Sequence, residues 1–135
     1  MTLLMSFLIV GVGGALGAMS RLAMNLLLAR TIVFVPMGTL ASNLIGCFVM
    51  GIVIQALANP AWFSHGDVMA HPYRMLFAVG FCGSFTTLSA LVFELSTLVE
   101  RGELLSAFAY LSITLIGGFA TFYGGAALLR SVVQS

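Results

Sequence analysis

The stretch GFCGSFTTLSALVFE, Gly80 to Glu94, decides how this chain reads. It sits inside an apolar run from Met75 to Val99, long enough to cross a bilayer, since roughly 30 Å of hydrocarbon takes about 20 helical residues. Yet Gly80, Gly83, Ser84, Thr86, Thr87 and Ser89 crowd its centre, where a membrane helix is normally most apolar. Glycine lowers helix propensity, and hydroxyl side chains satisfy backbone groups that an interruption releases. The composition therefore predicts a break between Gly83 and Thr87 that leaves two half-helices. Irregular backbone at membrane depth is tolerated only against protein or a water-filled cavity. Its exposed carbonyls suit a cation, and half-helix N-termini favour an anion. That describes an ion site. The sequence shows no nucleophile–base pair, phosphate loop or metal-ligand cluster, so no enzyme is expected.

Three more apolar runs flank this one: residues 3–28, 36–57 and 104–129. With 75–99 they make four transmembrane helices in a single domain covering 1–135. Composition agrees, because 61% of the 135 residues are hydrophobic and only 7% are charged, against about 25% charged in soluble domains. The N-terminal run lacks the positive segment of a signal peptide and continues past Arg21, so it reads as a retained first span. A formal net charge of +1 excludes the basic face of a nucleic-acid binder. Cys47 and Cys82 read as small buried hydrophobes. The longest connection, Ala58 to Arg74, carries Pro60, His65, Asp67, His71 and Pro72 and reads as a surface loop. Trp62 and Tyr73 beside it suit an interfacial aromatic belt. Arg74 and Arg130 fall on one side of the membrane and Arg30 and Arg101 on the other, a balance that permits insertion in either direction.

Polar groups inside the spans are the candidate functional residues, because a charge near the bilayer centre costs about 2.5–3.5 kcal/mol. Arg21 and Glu94 are the two charged ones. They read as vestibule-facing charges, snorkelling residues or a structural pair. In GTLASNLIGCFVMG, Gly38 to Gly51, Thr39, Asn43 and Gly46 recur at helical spacing. The Asn43 amide must find partners there. Tyr110, Thr114 and Gly118 line one face of the last span. Gly13 and Gly17, and Gly117, Thr121 and Gly125, read as close-packing faces between helices.

These residues resemble a known family, the bacterial fluoride channels called Fluc or CrcB. GGALGAMSR (Gly13 to Arg21), GTLASNLIGCFVMG and GFCGSFTTLSALVFE look like its first three helix signatures, in order and over nearly the whole chain. The resemblance implies a fluoride-specific channel in a bacterial inner membrane. It would be an antiparallel, dual-topology homodimer in lipid, with two pores at the subunit interface. It also implies a structural Na⁺ at the dimer centre, bound by the backbone carbonyls of Gly83 and Thr86. Asn43, Tyr110, Thr114 and Ser89 match the anion path. Arg21 matches a vestibule arginine, with Thr39 and Glu94 beside the path.

Three positions depart from the pattern. Leu88 and Leu91 stand where the family carries phenylalanines whose electropositive ring edges face the anion, and leucine has no such quadrupole. Gly118 stands where a serine can occur. Conduction is then weaker, differently routed, or dependent on a non-identical partner subunit. A small dual-topology multidrug-type transporter is the alternative, and the absence of an acid from the first span counts against it.

Overall fold

The computed structural model describes residues 2–28, 36–58 and 71–134. Arg30, Pro60, Trp62, His65 and Asp67, named above for topology and the long loop, lie outside the described residues. Every described element is helical: α1 (Leu3–Leu28), α2 (Met37–Leu57), a π-helix (Arg74–Cys82), α3 (Gly83–Phe85), α4 (Leu88–Glu100) and α5 (Leu104–Gln134). Among the described residues, four helical segments are long and apolar enough to cross a membrane: Leu3–Leu28, Met37–Leu57, Arg74–Glu100 and Leu104–Val133. The last extends past the expected end at Leu129. Its final turn, RSVV, contains no glycine or proline to stop a helix. Arg130 therefore sits on that helix, where its Nε donates to Gln55 Oε1 at 2.8 Å.

Polarity is inverted relative to a water-soluble protein. Leu27, Leu88 and Leu105 are more than 70% exposed, whereas Ser42, Thr39 and Tyr110 are at most 2% exposed. Outward apolar side chains need no burial against protein when lipid surrounds them, while inward polar groups must bond one another.

Glycine sets the helix spacing. A Cβ on Gly13 would collide with the Leu76 carbonyl oxygen, and one on Gly17 with that of Phe81. The first small-residue face thus packs α1 onto the π-helix. Gly125 meets the Phe48 carbonyl and Gly117 meets the Leu44 side chain, so the second face packs α5 onto α2. In both pairs the contacting residue numbers rise together, so α1 runs parallel to the third span and α2 to α5. Alternating four-span connectivity requires this.

The hairpin between α4 and α5 closes on Gly102, whose φ is 77°. The Gly102 N–H reaches Val99 O and the Glu103 N–H reaches Leu98 O, both at 2.9 Å, which satisfies the last carbonyls of α4.

The third span is not uniformly helical. Thr86 (φ −82°, ψ 157°) and Thr87 (φ −153°, ψ 120°) are extended between α3 and α4. Both are β-branched and both can bond locally. The Thr86 hydroxyl donates to Cys82 O at 2.9 Å, and the Thr87 hydroxyl accepts the Ala90 N–H at 3.2 Å as the N-cap of α4.

Candidate functional site

Two polar clusters lie on the α2 face that meets α4 and α5. The first surrounds Asn43, which is only 8% exposed. Its Oδ1 accepts the Thr87 N–H at 2.8 Å, and its Nδ2 donates to Thr87 O at 3.3 Å. The side-chain amide thus pairs with the extended backbone much as a neighbouring strand would. One Nδ2 hydrogen remains beyond this pair. Gly46, on the same face of α2, makes room for Thr86: a Cβ there would collide with Thr86 Cγ2.

The second cluster centres on Glu94. Thr39 Oγ1 donates to Glu94 Oε1 and the Tyr110 hydroxyl donates to Oε2, each at 2.7 Å. These bonds tie α4 to both α2 and α5. A carboxylate inside a membrane span is thereby bonded by neutral donors on both oxygens. Arg21 is half-buried on α1, one turn beyond Gly17.

Thr114 is 7% exposed and donates to its own helix at Tyr110 O, 2.8 Å away. Ser89 is exposed, with its hydroxyl 3.2 Å from that of Thr87. Gly118 is buried and offers no side chain, and Cys47 Sγ lies 3.5 Å from where a Cβ would stand. The two leucines differ sharply. Leu88 is 73% exposed, while Leu91 is 3% exposed in a core with Leu40, Leu98, Ala107 and Tyr110.

Asn43, Thr86, Thr87, Leu88, Leu91 and Thr114 share an open groove of about 490 Å³, continued by Cys47, Phe119, Phe122 and Tyr123. Sequence reasoning missed Thr87 as the residue joining the Asn43 amide, the α4 cap and Ser89. Its 44-residue separation from Asn43 leaves no local signal. Gly83 is exposed beside this segment. Among the described residues, no group of three or more His, Cys, Asp or Glu side chains could hold a metal ion.

Residues 8–126 match the family model described as CrcB-like protein, Camphor Resistance (CrcB). A protein of Chlorobium phaeobacteroides (strain DSM 266), named fluoride-specific ion channel FluC, is 38% identical over 121 residues, covering 89% of this chain and 88% of its own. One from Listeria innocua, named fluoride-specific ion channel FluC 2, is 41% identical over 114 residues, covering 84% and 82%. The FluC of Paracoccus denitrificans is 34% identical over 127 residues, covering 94% and 96%.

Proposed function

The chain belongs to the CrcB-like family, and from that premise we propose that it is a subunit of a fluoride-specific channel that lets fluoride leave the cytoplasm passively. The observation that carries this reading is the set of neutral polar groups buried in membrane-spanning helices, Asn43, Tyr110 and Thr114, of which the Asn43 amide keeps an N–H beyond its bonds to Thr87. Fluoride is small and strongly hydrated. A path for it must replace water with closely spaced N–H and O–H donors, yet hold the ion weakly enough to release it. Neutral donors meet both demands. Hydrogen fluoride crosses membranes uncharged and ionises in neutral cytoplasm, so a passive pore relieves the trapped anion without coupling to energy. The comparisons favour neither a drug transporter nor an obligate mixed assembly.

The working unit in this proposal is an antiparallel dimer in the bacterial inner membrane. The exposed groove and Leu88 then face the partner, and the third span acts as two half-helices. A structural sodium ion at the dimer centre belongs to the same reading, and the donor set fits it. In a continuous helix the Thr87 and Ala90 N–H groups would bond the Gly83 and Thr86 carbonyls. Here they bond Asn43 Oδ1 and Thr87 Oγ1, so neither carbonyl has its helical partner. Carbonyl oxygens suit a hard cation. When bound, such an ion raises the local potential for a nearby anion.

The test is fluoride-electrode efflux from liposomes holding the purified protein. Rapid fluoride loss is expected, with chloride retained. Fluoride efflux no faster than from empty liposomes rejects the proposal.

A further inference from the structure

The extended Thr86–Thr87 segment rests in a seat built by α2. Asn43 provides the bonds, pairing through Oδ1 and Nδ2 with both backbone groups of Thr87. Gly46 provides the room, because any Cβ there would meet Thr86 Cγ2. Being three residues apart, the two share one helix face. Asn43 is more than nine-tenths buried, so water does not compete for its amide.

The seat has a consequence for the carbonyls. With Asn43 absent, the α-helical acceptor for the Thr87 N–H is Gly83 O, four residues back. Making that bond extends α3 through the gap and removes one open carbonyl. We propose that Asn43 is a positioning residue: its amide takes the place of the helical bond at Thr87 and keeps the Gly83 carbonyl open toward a bound cation, beside the Thr86 carbonyl that the Thr87 cap of α4 leaves open. The inference rests on the sodium reading above. It gives Asn43 a task separate from any direct contact with the anion.

The experiment follows thermal unfolding of the purified full-length protein in detergent, with sodium replaced stepwise by N-methyl-D-glucamine. The wild-type midpoint rises with sodium and saturates. Asn43→Leu removes both bonds to Thr87 and shifts half-saturation to about 10–100-fold more sodium, the usual effect of losing a group that orients metal ligands. Asn43→Asp keeps an oxygen for the Thr87 N–H, so it keeps the wild-type sodium response even if fluoride flux is lost. A wild-type sodium response in Asn43→Leu overturns the positioning role, as does equal loss in both variants. A wild-type protein indifferent to sodium fails the cation reading itself and takes this inference with it. If Asn43→Leu does not fold, amide exchange decides. Thr87 in the wild type and in Asn43→Asp is expected to exchange as slowly as the centre of α2, and fast exchange at Thr87 overturns the clamp.

Discussion

The Tyr110 hydroxyl, fully buried, donates to Glu94 Oε2 at 2.7 Å, and Thr39 fills the other carboxylate oxygen at the same distance. One acid on α4 is thus bonded from α2 and from α5. Two buried hydroxyls from different helices thus meet on one carboxyl group.

Tyr110→Phe removes one of these donors without changing the packing of the ring. Leaving a buried hydrogen-bonding group without its partner costs about 1–3 kcal/mol. Thermal stability should fall by an amount in that range, and fluoride efflux should fall if the Tyr110 hydroxyl also serves the anion path. Stability and flux both at wild-type values would show that the Tyr110–Glu94 bond matters to neither.

Leu88 and Leu91 should respond differently to phenylalanine. Leu88 is exposed, so Leu88→Phe should change stability by less than about 0.5 kcal/mol. Leu91 is 3% exposed, and Leu91→Phe should cost about 1–3 kcal/mol through overpacking. If the missing ring edge limits conduction, Leu88→Phe raises fluoride flux in liposomes. An unchanged rate with the fold intact would place the limiting step elsewhere.

Gly13→Ala places a methyl on the Leu76 carbonyl oxygen, and backbone cannot swing aside as a flexible side chain can. A loss of about 1–3 kcal/mol is expected. Gly11→Ala is the control, since nothing lies within 4 Å of its Cβ position. It should be neutral or slightly stabilising, because alanine favours helix. Parallel melting curves of the two variants check the difference.

Gly102→Ala should weaken the α4–α5 hairpin. Its φ of 77° is left-handed, and a Cβ there costs about 1–2 kcal/mol. Proteolysis at the turn or a lowered melting temperature would report it. Wild-type behaviour in both would mean that the turn relaxes into another conformation.

The four spans were legible in the sequence because hydropathy and length act locally. The end of the last span was not, because the chain gives no stop signal between Leu129 and Gln134. Thr39, Asn43, Tyr110 and Thr114 stood out as polar residues in apolar surroundings, and all four are buried. Their partners did not stand out. Glu94 invited pairing with Arg21 by charge, yet its oxygens bond Thr39 and Tyr110, which lie 55 and 16 residues away. Leu88 and Leu91 looked equivalent as two departures from one motif. Both line one groove, yet the packing of α2 and α5 against α4 covers Leu91 with Leu40, Leu98, Ala107 and Tyr110 and leaves Leu88 at the open end of α4.

By itself the sequence determined that this chain lives in a membrane, how often it crosses, and which residues are costly enough there to need a purpose. Those conclusions follow from the transfer of individual side chains and from residue counts, which need no coordinates. Only the tertiary structure decided what Asn43 does with its amide, since its two bonds go to the backbone of a residue 44 positions away. A buried amide must bond something, but which backbone group lies within reach depends on how α2 packs against the third span. That packing is set by glycines on one helix meeting carbonyls and side chains on another, a fit between surfaces distant in sequence.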